Sequence, residues 1–327
     1  MAKVLGLSFG RKMSNSEVMV KTALMECEKA GHEVKFLDVD RMDIKPCTGC
    51  ISCVVGMISG RGVGNCVMKD DFHILDEALM ECDALIVCSP TYESSPTGRF
   101  KSVCDRIGPS HDITFRKIRY EEGKAAGVPD EKLPDPRTWK KRVGALLTVG
   151  GAMTENWLDF SLPVMFELTF PLGIDVIDTY KYYGAMAYNH VLGNETVMER
   201  MRQVGQHINE ALAAQEAGDE EQRTAWRGDQ QGLCPVCHQS LLSVTGDGMS
   251  VDCPVCGSHG KLYVEDGKIR VSFSKEEQER SRLRWAGKLE HSTEIKTKAA
   301  GPGQIPNLAE LKKPYQGFAE QEGYTHS

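Results

Sequence analysis

Lys3-Val4-Leu5-Gly6-Leu7-Ser8, followed by Phe9-Gly10-Arg11-Lys12-Met13-Ser14-Asn15-Ser16, is the stretch on which the fold turns. The first six residues are a short apolar run that ends in a polar turn, the pattern of a parallel strand buried on both faces. An amphipathic helix through Val18, Val20, Ala23, Leu24 and Cys27 follows and stops before Gly31. The same strand–turn–helix unit recurs outward from here. Val34 to Val39 alternates as a second strand. Ala84-Leu85-Ile86-Val87-Cys88 is a third, between helical patterns at Phe72–Cys82 and Thr97–Ile107. Val143–Val149 and Ile174–Tyr180 read as the fourth and fifth, and Thr196–Gln215 as a long closing helix. Strands alternating with helices predict an α/β fold, a doubly wound five-stranded parallel sheet of order 2-1-3-4-5.

In that flavodoxin-like arrangement ligands bind at the carboxyl ends of the strands. The 327-residue chain also has room for more than this unit. We assign residues 1–215 to the sheet domain, with a cysteine loop at 47–66 and a charged, Gly- and Pro-containing insertion at 109–141. The insertion reads either as a lid or oligomer arm or as a solvated excursion. Residues 216–231 are a polar linker, 232–273 a small β-rich metal ribbon, and 274–327 a polar helix and tail. The net charge of −7 argues against a nucleic-acid partner held through phosphates. The chain lacks an apolar run of membrane-spanning length and has no signal-peptide pattern at its start, so a cytoplasmic protein is expected.

Three loops at strand ends carry candidate binding residues. Backbone N–H groups at the start of the first helix, with Ser8, Arg11, Ser14, Asn15 and Ser16, can hold a phosphate such as that of FMN; the alternative is an ordinary polar turn capped by Ser16. Pro90, Thr91, Tyr92 and Ser95 follow the third strand, where they can line the edge of an isoalloxazine ring. Gly150 and Gly151 follow the fourth and let backbone approach closely.

Cysteine is the other signal. Of the 12 cysteines, Cys47, Cys50, Cys53 and Cys66 read C-x2-C-x2-C-x12-C. Three thiolates on one small loop suit a [4Fe–4S] cluster, with zinc or no metal as alternatives. Gly56, Gly60, Gly62 and Gly64 let the chain loop back to Cys66. Cys234, Cys237, Cys253 and Cys256 read C-x2-C-x15-C-x2-C, the paired knuckles of a structural zinc site, or of rubredoxin-type iron. Cys27, Cys82, Cys88 and Cys104 sit in apolar patterns and read as small buried hydrophobes.

Taken together, Ser8–Ser16, the run Ser89-Pro90-Thr91-Tyr92-Glu93-Ser94-Ser95-Pro96-Thr97-Gly98 with Lys101, Asp105 and Arg106, and Gly150-Gly151 resemble the NADPH-dependent FMN reductase-like flavoproteins. With the cysteine loop, residues 1–215 look like iron–sulfur flavoproteins of anaerobic microbes. That resemblance implies FMN and a [4Fe–4S] cluster in each subunit, a homodimer or homotetramer, and a redox donor such as ferredoxin or NAD(P)H acting with a small-molecule substrate. Two departures are visible. Phe9 stands where the family commonly has a serine, which leaves phosphate contact to Arg11, Ser14, Asn15 and Ser16, and the spacing before Cys66 is long. The expected function is an oxidoreductase that relays electrons between cluster and FMN. The alternative is an NAD(P)H-dependent FMN or quinone reductase with only structural zinc, and a zinc-ribbon interaction protein is a third possibility. The sequence singles out no catalytic residue.

Overall fold

A computed structural model describes residues 1–108, 111–186, 189–299 and 305–319. Pro109 and Ser110 of the insertion, and parts of the segment after 273, therefore lie outside the described residues. Strands β1 (Lys3–Ser8), β2 (Glu33–Asp38), β3 (Ala84–Tyr92), β4 (Arg142–Val149) and β5 (Ile174–Tyr182) form one parallel sheet. Its order is β2-β1-β3-β4-β5, the topology the sequence pattern predicts. A two-residue strand, Ser95–Pro96, folds back antiparallel on Thr91–Tyr92 at the end of β3.

Period-two alternation splits each apolar strand between two cores. Leu5, Leu7, Leu85 and Val87 face one layer, with α3 (Phe72–Glu81), α4 (Gly98–Ile107) and α6 (Ser161–Thr169) over them. Val4, Ala84, Ile86 and Cys88 face the other, under α1 (Asn15–Lys29) and α7 (Glu195–Ala217). Gly6 lets α1 lie flush on β1: a Cβ there would sit 2.6 Å from Leu24 Cδ1 and Val20 Cγ1. Of the remaining helices in the first half, α2 (Ser52–Ser59) carries part of the cysteine loop and α5 (Ile113–Ala125) lies in the insertion. The insertion is tied down. His111 is fully buried and bonded to Asp76 and to Ile107 O. Arg142, also fully buried, donates to the carbonyls of Met80, Arg137, Thr138 and Lys140.

Beyond α7 the chain stays close to the sheet. Gly218 ends the helix in the left-handed conformation (φ +75°), and α8 (Glu220–Thr224) follows. Arg223 is buried between Asp175 and Glu220. Strands β6 (Ser243–Val244), β7 (Ser250–Asp252), β8 (His259–Glu265) and β9 (Lys268–Ser272) make an antiparallel sheet of order β9-β8-β7-β6. This ribbon packs on the main core: its cysteines and Val255 share a hydrophobic cluster with Phe166, Leu172 and Ile174.

After α9 (Lys275–Glu279), α10 (Trp285–Ala299) lies along α5. Its contacts are polar. Ser292 Oγ meets Thr114 Oγ1 at 2.6 Å, and the buried Lys288 ammonium donates to Phe170 O. Burial lowers the Lys288 pKa to about 8, against the opposing pull of Asp112 and Asp175. A last short helix, α11, spans Leu308–Lys312. No helix among the described residues is long and apolar enough to cross a membrane.

Candidate functional site

The carboxyl ends of β1, β3, β4 and β5 open on one cleft. It is lined by Gly10, Arg11, Ser14, Asn15, Ser16, Pro90, Thr91, Tyr92, Val149, Gly150, Gly151 and Ala185. Nine of the candidates read from the sequence are among these: Arg11, Ser14, Asn15, Ser16, Pro90, Thr91, Tyr92, Gly150 and Gly151. Ser8 and Ser95 are not. Ser8 is buried beneath the first loop, where its Oγ accepts the Gly10 N–H at 3.3 Å, and Ser95 is paired to Tyr92 in the hairpin. Gly10, Val149 and Ala185 are additions. Gly10 lay within the quoted loop; Ala185, after β5, carried no signal.

The first loop has the form of an anion cradle. A Cβ on Gly10 would lie 2.8 Å from both Ser14 Oγ and Ser16 Oγ, so the two hydroxyls converge over a glycine. Ser14 Oγ is buried with no hydrogen-bond partner, and such an atom is costly unless a ligand satisfies it. The Ser14 side chain is also free of the N-cap bond that its place before α1 would permit. Asn15 Oδ1 is engaged elsewhere, accepting from Val191 N at 3.0 Å. Glu17 braces the turn by accepting from Met13 N at 2.6 Å and Lys21 Nζ at 2.5 Å. Burial alone would raise the Glu17 pKa, but these bonds bring it below the usual carboxylate value. Phe9 is turned into the core, edge-on to Phe100 at 4.9 Å, and contributes nothing to the cradle. An orphaned hydroxyl, a helix N-terminus and Arg11 together fit a phosphate.

The other two loops form the flanks. Tyr92 is more than half exposed, and the turn after it holds Glu93 and Ser94 at φ 47° and 67°, a two-residue type I′ geometry. Thr91 Oγ1 lies 2.9 Å from Thr148 Oγ1 and 2.7 Å from Ser161 Oγ, linking β3, β4 and α6 beneath the cleft. At Gly150 a Cβ would press on Leu158 Cδ1 at 2.9 Å, and at Gly151 on Met186 Sδ at 3.1 Å. Met153, Trp157 and Phe160, on the segment from Gly151 to α6, are exposed, as is Met186. The floor is therefore polar, and Tyr92 and Met186 put apolar surface at its rim, whereas Phe160 lines a separate cavity with Pro163 and Val164. His111 and Tyr120 do not join this rim; Tyr120 packs edge-on against Trp139 at 5.1 Å.

The two cysteine sets differ. Cys234, Cys237, Cys253 and Cys256 are all buried, with their sulfurs within 4.8 Å of one another. Sγ–Sγ distances are 3.4 Å for Cys234–Cys256 and 3.5 Å for Cys237–Cys253. Zn–S bonds of about 2.3 Å place tetrahedral sulfurs about 3.8 Å apart, so this donor set fits one thiolate-bound ion. Hydrogen bonds from the neighbouring thiols push Cys256 down. It is a metal site.

Among the described residues no other such group exists. Cys47 and Cys50 are exposed, and Cys53 and Cys66 half-buried. The loop that bears them is firmly closed at its base. Asp70 takes both Arg106 NH1 (2.6 Å) and NH2 (3.0 Å), accepts Lys45 N (3.0 Å), and Arg106 also donates to Lys45 O (3.1 Å). The Arg106 hydrogen bonds lower the Asp70 pKa to about 2. Arg106 also faces Cys66, and Arg116 faces Cys53. The Cys50 thiol is lowered by hydrogen bonds from Ser52 and Thr48. The loop thiols do not converge on one point, which a mononuclear ion would need. A cubane bonds each thiolate to a different iron, so its four sulfurs stand farther apart while still surrounding one cluster. The remaining cysteines are inert core groups, with burial raising Cys27 and Cys88 to about 12.

Comparison with known proteins agrees with this geometry. The profile of the NADPH-dependent FMN reductase family matches residues 2–166. A flavone synthase of Aspergillus candidus is 26% identical over 314 residues, 95% of this chain and 94% of its own. An iron–sulfur flavoprotein of Archaeoglobus fulgidus is 35% identical over 99 residues, 30% of this chain but only 42% of its own. A solved flavone reductase superposes with a TM-score of 0.79 at 25% identity, over 99% of this chain and 100% of that one. The chain belongs to the NADPH-dependent FMN reductase family and is an FMN-dependent oxidoreductase.

Proposed function

We propose that the cleft holds FMN, its phosphate on Gly10–Ser16 and its ring between Pro90–Tyr92 and Gly150–Gly151, and that the substrate is a flat aromatic compound with a carbonyl-conjugated double bond, of the flavone class. The observation that carries the substrate reading is likeness over the full length. The flavone synthase and the flavone reductase match this chain from end to end, ribbon included. One is named for making a flavone and the other for reducing one, so flavone is common to both names. The rim suits such a substrate: Tyr92 on the cleft wall and Met186 beside Gly151 offer exposed apolar surface beside a polar floor. When bound, FMN supplies two-electron chemistry with a nicotinamide or one-electron chemistry with a carrier. The chain's own part is to hold the phosphate with Ser14, Ser16 and Arg11, to bring glycine backbone against the ring, and to keep a flat apolar face open.

In this reading the four C-terminal thiolates hold structural zinc. The site is closed: all four sulfurs are buried, and the ribbon shares its core with Phe166 and Ile174. One equivalent of zinc per chain supports this, and a red, iron-containing ribbon contradicts it. The functional reading is tested by incubating the anaerobically purified protein with NAD(P)H and flavone. Loss of the flavone chromophore at a rate above that of free FMN supports it. No consumption of flavone while NAD(P)H reduces the bound flavin overturns it.

A second reading has its own support. The loop cysteines and the similarity to iron–sulfur flavoproteins favour a [4Fe–4S] cluster on Cys47, Cys50, Cys53 and Cys66 that exchanges electrons with FMN. Arg106 and Arg116 would offset its negative charge. Iron and acid-labile sulfide near four each per chain, with a brown shoulder that dithionite bleaches, favour this relay. A purely yellow protein excludes it.

A further inference from the structure

We propose that Thr91 meets the ligand of the cleft only as a hydrogen-bond acceptor, because a one-way chain of hydroxyls commits its proton inward, and that the group it serves is the N–H a flavin gains at N5 on reduction. The inference rests on the reading that FMN occupies the cleft.

The direction follows from counting protons. A hydroxyl has one proton and two lone pairs. Thr148 Oγ1 lies 2.9 Å from Ser89 O, a carbonyl that can only accept, so the Thr148 proton is spent there. At the 2.9 Å contact between Thr91 Oγ1 and Thr148 Oγ1, Thr148 must then accept, and Thr91 donates. With the Thr91 proton spent, the 2.7 Å contact with Ser161 requires Ser161 to donate. The chain runs Ser161 to Thr91 to Thr148 to Ser89 O.

Ser89, Thr148 and Ser161 are fully buried, so no water competes for these protons. Thr91 is the member of the chain that reaches the cleft wall. One of its lone pairs takes the Ser161 proton, which leaves the other for the ligand. An acceptor at this place does nothing for an oxidised flavin nitrogen, which is itself an acceptor, and favours the same nitrogen once it carries hydrogen. Thr148 and Ser161 are positioning residues: they touch Thr91, and they set which way its proton points.

The test is the midpoint potential of bound FMN in the full-length protein and four variants, each checked for one FMN per chain. Thr91→Val removes the acceptor and should lower the preference for reduced over oxidised flavin about tenfold, about 30 mV for a two-electron couple. Thr148→Val is near-isosteric but frees the Thr91 proton to turn into the cleft, so its shift should be in the same direction and at least as large. Thr148→Ser keeps the hydroxyl and should restore the wild-type value. Ser161→Ala leaves the Thr91 proton on Thr148 and should change the preference less than threefold. A merely structural role would not make Thr148→Val exceed Thr91→Val while Thr148→Ser is silent. Equal potentials in all proteins, or a Ser161→Ala shift as large as that of Thr148→Val, overturns the inference alone. A wild type that retains no FMN overturns the cleft assignment and this inference with it.

Discussion

Gly10→Ala isolates the phosphate cradle from everything else in the cleft. Gly10 does not have a positive φ, so alanine meets no backbone penalty there. Its methyl would instead lie 2.8 Å from Ser14 Oγ and from Ser16 Oγ, closer than carbon and oxygen tolerate. Both hydroxyls must turn away from the space where the phosphate belongs. A hydrogen bond to a charged group contributes about 1.5–3 kcal/mol. Loss of one to two of them costs about 2–4 kcal/mol, or roughly 30- to 1,000-fold in the dissociation constant of FMN. The assay is quenching of flavin fluorescence as apoprotein is titrated with FMN, and in parallel with riboflavin, which has the ring but no phosphate. FMN binding should weaken by that factor, riboflavin binding should change less than about twofold, and the melting temperature should hold. Equal weakening of both ligands would place the methyl's effect on the ring, and unchanged FMN binding in a folded variant would remove the cradle from the account.

Further outcomes follow from the packing. Asp70→Asn breaks the Arg106 clamp at the base of the cysteine loop and leaves a buried guanidinium uncompensated, so chemical denaturation should show a loss of about 3 kcal/mol. The folded pKa of Asp70, about 2, lies below its ordinary 3.8. Its contribution is thus complete well above pH 3.8, about 2.4 kcal/mol, and is lost as pH falls through the folded value; at pH 2 the folded carboxylate is still half ionised, so between pH 5 and 2 the wild type should lose about 2 kcal/mol more stability than Asp70→Asn. Cys256→Ser should release the ribbon's metal, measured by metal analysis, and expose the 232–273 segment to limited proteolysis. If the ribbon stays protease-resistant without metal, its core contacts alone hold it. Lys288→Met replaces the buried ammonium that donates to Phe170 O and should flatten a stability gain otherwise spread between pH 8 and 10.5. The folded pKa is depressed below the ordinary 10.5, so the charged lysine weakens the fold below pH 8 and the penalty fades as pH rises from 8 to 10.5.

The sheet was legible because its central strands are buried on both faces and so read as unbroken apolar runs, as in Ala84–Cys88. The cleft was legible because every doubly wound sheet gathers its ligand loops at the carboxyl ends of its strands. Ser95 escaped because the turn before it uses Glu93 and Ser94 at positive φ, where a hairpin signal would normally be Asn-Gly. Ser8 was misplaced by a finer matter: its hydroxyl turns under the loop to Gly10 N rather than into the cleft. The Thr91–Thr148–Ser161 contacts join residues 57 and 70 positions apart, which no periodicity encodes. Helix α10 read only as a polar helix because its docking face is itself polar, built on Lys288 and Ser292 meeting Phe170 and Thr114. The two cysteine sets were equally visible as motifs. Spacing alone did not distinguish a set that converges in a buried core from one carried on an exposed loop.

A crystal structure of the protein with FMN tests the central assignment most directly. Electron density for the phosphate is expected against Ser14, Ser16 and Arg11, with the ring reaching Thr91 and Gly150–Gly151. Density instead in the cavity of about 470 Å3 between α4, α6 and the ribbon knuckle at Pro254–Val255, with the Gly10 cradle left to water, would contradict it.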